Sequence, residues 1–307
     1  MWGACKLGPR HWEEAFLAVD WSQRCLRSFS SEEAAEACLN SLHGSTSLFA
    51  NSEDLAPLLS PASSVVDSGR DGRIVSSLVS VDVTLGDAQV REECSTVTCG
   101  DYHDVIIISS SEDSAAPCVL GVESGASEAW HEWIRNAAAV CTFLFLCQRE
   151  GLSADLAESA CRPLKEAAQG GVFELELDGP DFFETPTTTR AVAMLLTENT
   201  AVLRCTDCVL EERRAARLFE AVQRCRALRS AQFIGCGIGP LSVRQLCRAL
   251  IGVAQNVEEL DLTDNILGDD GAAALAETVA CLPRLRDLRL AKNQITYVGA
   301  RALAARI

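Results

Sequence analysis

The sequence predicts an α/β solenoid, with parallel strands on a concave face and helices on a convex face, preceded by a mainly β domain closed by a helix. A strand, turn and helix pattern recurs about every 28 residues over 172–307. Strand-length apolar and β-branched runs fill the first half without that period. From Ser127 onward, apolar residues recur at helical spacing.

The chain has 307 residues, 48% hydrophobic and 23% charged, which is the composition of an ordered protein with room for two domains. Its net charge of −16 sits mostly in residues 1–150, which hold 9 Lys/Arg against 22 Asp/Glu, whereas 151–307 hold 18 against 21. A surface of that sign repels polyphosphates at long range and argues against a nucleic-acid partner. The 15 cysteines are irregularly spaced, and the N-terminal MWGACKLGPRHWEEAF has no signal-peptide core, so free thiols and a cytoplasmic location are expected. The apolar run AAAVCTFLFLC at 137–147 is shorter than the roughly 20 residues a membrane-spanning helix needs.

In chain order, WEEAFLAV and CLRSF read as strands, and SPASSVVDSGRDGR (60–73) as a loop. IVSSLVSVDV (74–83), VIIISS and PCVLGVES (117–124) read as further strands. A helix is then expected from Ser127, whose hydroxyl would cap it while Glu128 favours the dipole. Trp130, Trp133, Ile134, Ala137 and Val140 form its apolar face.

The repeats are clearest where VEELDLTDNIL (257–267) aligns with LRDLRLAKNQI (285–295). A glycine follows each, Gly271 or Gly299, and then a helix carrying Leu275 and Val279 or Leu303 and Ile307. LRSAQFIGCGI (228–238), with Leu246 and Leu250 behind it, and TAVLRCTDCVL (200–210), with Leu218 and Val222, continue the register toward the N-terminus. VFELELDGPDF (172–182) is the first unit, with Pro180 at the asparagine position. Asn265 and Asn293 should turn inward and satisfy backbone groups, and Cys208 and Cys236 occupy the same slot. Packing thereby accounts for LRCTDC without zinc or redox chemistry, since one CxxC supplies only half of a structural zinc site. The glycines of IGCGIGP fall in a turn and lack the spacing and βαβ setting of a phosphate loop.

The pattern LxxLxLxxN/CxL followed by a helix resembles the ribonuclease-inhibitor type of leucine-rich repeat. That resemblance implies about five repeats over 171–307, each burying its apolar side only against its neighbours. HWEEAFLAVD, SFSSEEAAEACL and SEAWHEWIRNA resemble a pleckstrin-homology domain over 1–140, with Trp133 at the family's helix tryptophan. Members that grip phosphoinositides carry basic residues on the first two strands. Here Lys6, Arg10 and His11 lie near that loop, but Glu13 and Glu14 occupy the strand, so phosphoinositide binding is expected to be weak. With a helical connector drawn from the segment 136–168 and assigned to 141–170 as connector and N-terminal cap, the whole resembles the N-terminal half of the CARMIL family, cytosolic scaffolds that regulate actin capping. That resemblance extends the expected location to the cell cortex. The family's capping-protein-binding and dimerisation regions lie beyond its repeats.

The leading functional expectation is a non-enzymatic scaffold, needing no cofactor or metal, that binds protein through the concave strands. Its candidate residues are Glu176, Arg204, Gln232, Asp261 and Arg289 in one row, and Glu174, Val202, Ser230, Glu259 and Asp287 in the next. Strands roughly 4.8 Å apart would also let Glu176 pair with Arg204, and Asp261 with Arg289. A GTPase-regulating or sensor role is the alternative. For catalysis, the nearest approach to a ligand cluster is Cys94, Cys99 and His103 in CSTVTCGDYH, which reads as a loop. Because no polar cap follows the last repeat, the chain is expected either to continue or to self-associate through 285–307.

Overall fold

The structure is a computed structural model that describes residues 2–6, 12–43, 73–77, 89–93, 102–109, 118–167, 171–253 and 255–306. The chain forms two compact units, Met1–Phe145 and Leu146–Ile307.

In the first unit, β1 (Trp2–Lys6), β2 (Trp12–Asp20), β3 (Cys25–Phe29) and β4 (Arg73–Ser77) form one antiparallel meander. β5 (Gln89–Glu93), β6 (Tyr102–Ser109) and β7 (Cys118–Glu123) form another. Pairing of β1 with β7 joins them into a seven-stranded sheet of order β4-β3-β2-β1-β7-β6-β5. Among the described residues β4 and β5 are its two ends. The expected strand 74–83 is described only as far as Ser77, and the expected loop 60–73 lies outside the described residues except for Arg73. The helix α1 (Glu32–His43) follows β3, and the hydroxyl of Ser31 accepts from Ala34 N.

Strand β2 buries Ala15, Leu17 and Val19 in the period-two alternation of a half-buried strand. These meet Trp130, Ile134, Ala137 and Cys141, spaced four, three and four along α2 (Ser127–Arg149), so one helical face covers the sheet's core. Trp133 packs partly buried beside them, edge-on to Trp130 at 5.6 Å between ring centroids. Ser127 is not the cap. Gly125 takes a positive φ of 81°, Ala126 N donates to Glu123 O, and Trp130 N donates to Ala126 O, so the turn after β7 starts the helix at Ser127. The helix runs unbroken for 23 residues, through the expected boundary at 140/141, because that stretch contains no glycine, proline or cap. It ends at Gly151, which has a φ of 80°, with Leu152 N donating to Cys147 O.

In the second unit, α3 (Ala154–Glu166) packs beside the first repeat strand, burying Ala157, Ala160, Cys161 and Leu164. Its Lys165 Nζ reaches both carboxylate oxygens of Glu158, at 2.9 and 2.8 Å. The strands β8 (Phe173–Asp178), β9 (Thr200–Thr206), β10 (Ser230–Ile234), β11 (Glu259–Asp261) and β12 (Asp287–Arg289) then form one parallel five-stranded sheet in sequential order. Each is followed by a helix: α4 (Pro186–Leu195), α5 (Glu212–Val222), α6 (Pro240–Gly252), α7 (Gly268–Val279) and α8 (Tyr297–Ala304). Successive helices stack on one another, and a 3-10 turn, Asp181–Phe183, precedes α4.

The turn after every strand has a residue in the left-handed region at the same register: Gly179, Asp207, Gly235, Asp264 and Lys292. At Gly235 a Cβ would come within 2.3 Å of Asp207 Oδ1, so the first glycine of IGCGIGP serves the turn. The inward slot next to it is also filled in register. Asn265 Nδ2 donates to Phe233 O of the preceding rung at 2.7 Å and to Leu262 O at 2.9 Å, while its Oδ1 accepts from Ile238 N at 2.9 Å. Asn293 Nδ2 reaches Leu262 O at 2.6 Å. The thiols of Cys208 and Cys236 reach back in the same way, to Leu177 O at 3.5 Å and Cys205 O at 3.3 Å.

Because Cys208 is buried and its sulfur faces the carbonyls of Leu177 and Thr206, an asparagine amide can donate to the same groups. Cys208→Asn should therefore change stability by less than about 1 kcal/mol in denaturant melts, whereas Cys208→Asp, which aims a charge at carbonyl oxygens, should cost about 3 kcal/mol.

Inner rungs are drier than the last. Val257, Leu260, Leu262 and Leu267 are each 0% exposed, whereas Leu285, Leu288 and Leu290 are only half-buried. Less burial means smaller opening free energies, so amide exchange read by mass spectrometry should be faster in 285–306 than in 257–280. Equal protection of the two segments would contradict this.

Candidate protein-binding surface

The strand register decides which side chains share the sheet face. Glu174 pairs with Val202, Val202 with Ser230, Ser230 with Glu259 and Glu259 with Asp287. Two residues on, Glu176, Arg204, Gln232, Asp261 and Arg289 align in the same order. In β8 the intervening Phe173, Leu175 and Leu177 are buried and the three acids exposed, which is the alternation that sends Glu174 and Glu176 to the open face.

The rows are cross-linked. Arg204 forms an ion pair with Glu176 on one side and donates through Nε to Gln232 Oε1 at 2.9 Å on the other. Gln232 Nε2 donates to Ser230 Oγ at 2.9 Å and Glu259 Oε2 at 3.1 Å, and Ser230 Oγ donates to the same Glu259 oxygen at 2.8 Å. Arg289 lies nearer Glu259, at 2.5 Å, than Asp261, at 3.4 Å. The expected pairing along the row is therefore present, with a second, shorter pair crossing to the neighbouring row. Asp261 is buried and its Oδ1 already accepts from Thr263 N at 2.9 Å, and the guanidinium also turns diagonally to the more open carboxylate. The Glu259 carboxylate, with Asp261 second, holds the Arg289 guanidinium above its ordinary range.

All eight acidic, basic and amide candidates therefore fall on one sheet face. Polarity alone identified the rows but not the lateral bonds through Ser230 and Gln232, because strand pattern fixes a side chain's face and leaves its rotamer open. Of the expected basic positions in the first unit, Lys6 ends β1, and Arg10 and His11 lie outside the described residues. Glu13 and Glu14 are exposed on β2. Cys94 and Cys99 lie outside the described residues, and His103 falls within β6.

Cys25, Cys141, Cys147, Cys161, Cys205, Cys208, Cys225, Cys236 and Cys247 are buried thiols that form no disulfide, and neither do the half-buried Cys38 and the exposed Cys281. Among the described residues no group of three or more His, Cys, Asp or Glu is placed to hold a metal ion. Hydrogen bonding to Cys205 pushes the Cys208 thiol up, and hydrogen bonding to Cys208 does the same to Cys236, with burial adding to both. Burial pushes Cys25 and Cys161 to about 12 and Cys225 to about 11. These are groups that stay protonated, the opposite of an activated nucleophile.

The family model described as Leucine Rich repeat matches residues 253–276 and 283–304, the segments carrying β11, α7, β12 and α8. With the parallel five-stranded sheet and its flanking stack of helices, the second unit has a leucine-rich-repeat type of fold. Leucine-rich repeats suggest a role in protein–protein interaction. Among the described residues no helix is long and apolar enough to cross a membrane.

A thiol whose folded pKa is raised stabilises the fold below its unfolded value and loses that contribution as pH climbs toward the folded one. Unfolding free energy should therefore be flat in this respect below pH 9 and decline between 9 and about 12, the window set by Cys25, Cys161 and Cys225. At pH 8 in the native protein, Cys281, which is exposed, should react with a thiol reagent well before those three. Rapid labelling of Cys225 in the native state would contradict this burial.

Proposed function

We propose that the chain is a non-enzymatic scaffold that binds protein partners through the concave face of its repeats. The observation that carries this reading is the registered double row of polar side chains, held by Arg204, Gln232 and Glu259 across three rungs. A surface whose rotamers are already fixed loses little side-chain entropy on binding. Its ends supply the open acidic groups, Glu174 and Glu176 on β8 and Asp287 on β12.

The finer reading takes 1–140 as a pleckstrin-homology-like barrel, 141–170 as connector and cap, and 171–307 as ribonuclease-inhibitor-type repeats, in a CARMIL-like actin or cortex regulator. Two meanders joined edge to edge, with an amphipathic helix over the core, support the first part. The exposed Glu13 beside β1 supports weak or absent phosphoinositide binding.

Charge reversal at the two ends of the concave face tests the main proposal. Glu174→Lys with Asp287→Lys should reduce recovery of co-purifying proteins about tenfold by quantitative mass spectrometry. Glu277→Lys, exposed on the helix side, should leave the recovered set unchanged. Identical sets from all three proteins would refute the assignment of the concave face.

A further inference from the structure

We propose that the helix side of the second and third repeats is a second docking surface, built to take an acidic polypeptide segment with aliphatic side chains. Between Glu212 and Gly252 the chain has eight arginines, no lysine and two acidic residues, within a protein of net charge −16. On α6 the exposed residues Leu241, Arg244, Arg248 and Ile251 are spaced three, four and three, which places them in a single stripe. The neighbouring α5 adds exposed Arg213 and Arg217.

The arginines of this chain divide by what holds them. Arg204 and Arg289 are consumed by carboxylates on the concave face. Arg214 binds the carbonyl of Phe183 and Arg224 that of Ala193, tying α5 to the preceding repeat. Among the described residues, Arg213, Arg217, Arg244 and Arg248 make no side-chain hydrogen bond or ion pair. Four exposed guanidinium groups without partners, on adjacent helices, form a basic patch whose complement is anionic. The next helix, α7, shows Asp270 and Glu277 to solvent and so bounds the patch on one side.

Two features select an acidic polypeptide over other anions. Leu241 and Ile251 are 54% and 51% exposed, and ten residues of helix set them about 15 Å apart, one at each end of the arginine pair. A partner helix can meet both with aliphatic side chains while its carboxylates reach the guanidinium forks between them. A bilayer would find too little to take up, because Leu218, Val222, Leu246 and Leu250 are packed inside the solenoid. Glu212 and Glu220 lie among the arginines on α5 and oppose a uniform polyphosphate, whereas a peptide can place neutral residues opposite them.

The test uses the full chain at physiological salt and three probes: a labelled helical peptide with glutamates between two terminal leucines, polyglutamate of equal charge, and phosphatidylserine vesicles. The helical peptide should bind about tenfold tighter than polyglutamate by fluorescence anisotropy. Arg244→Glu with Arg248→Glu should weaken it about tenfold or more, and Leu241→Ser with Ile251→Ser several-fold, both with unchanged thermal melts because the sites are exposed. If the charge reversal lowers the melt, Arg213→Gln with Arg217→Gln provides the milder variant and should still weaken binding. Equal affinity for the two peptides, or equal binding by wild type and variants, overturns the proposal. So does vesicle flotation that the charge reversal abolishes without peptide binding, which would assign the patch to a membrane.

Discussion

The constraint on which the repeat unit depends is that no rung can satisfy itself. A three-residue strand such as β11 has apolar side chains on one side and backbone groups on both edges, and only a neighbouring rung can cover them. The inward slot makes the dependence directional. Asn265 donates to Phe233 O, Asn293 to Leu262 O, Cys236 to Cys205 O and Cys208 to Leu177 O, each reaching to the rung before its own. The turn residues complete the link in the other direction, with Asp207 N donating to Ile234 O, Gly235 N to Thr263 O and Asp264 N to Ala291 O. Backbone pairing, turn and slot therefore all enforce one register, and that register places the concave rows.

This is also why the repeats were legible in the sequence and other features were not. A fixed period makes each unit a test of the others, so Cys208 and Cys236 could be read as slot residues once Asn265 and Asn293 had defined the slot. The alignment of Glu176, Arg204, Gln232, Asp261 and Arg289 follows from the same period. The additional pair of Arg289 with Glu259 does not, because it depends on the rotamers of two long side chains and not on strand register. In the first unit nothing repeats, and each element had to be read alone. β2, β3, β4, β6 and β7 are legible by their apolar and β-branched content, whereas the short β1 and the polar β5 carry no such run, and the beginning of α2 turns on Gly125 and not on Ser127. The unpaired convex arginines carry no such mark in the sequence, because a polar residue interrupts an apolar pattern only on a strand. On a helix's outer face an arginine is the ordinary residue, and only the absence of partners distinguishes it.

The internal bonding of the concave face has a consequence for how it can select a partner. Glu176 is exposed and an ion pair of that kind contributes about 0–1 kcal/mol, so an incoming carboxylate can replace it beside Arg204 at small cost. Ser230, Gln232 and Asp261 are 7%, 7% and 5% exposed, and breaking their bonds would strand buried polar groups at roughly 1–3 kcal/mol each. The middle of the face therefore acts as a fixed template, and exchange of partners is confined to its ends. Glu174, Glu176 and Asp178 form an exposed acidic run along β8, which is an end strand of its sheet among the described residues. Electrostatic recruitment would begin at that edge, and the central Ser230, Gln232 and Glu259 network would then accept only a surface whose shape leaves it intact.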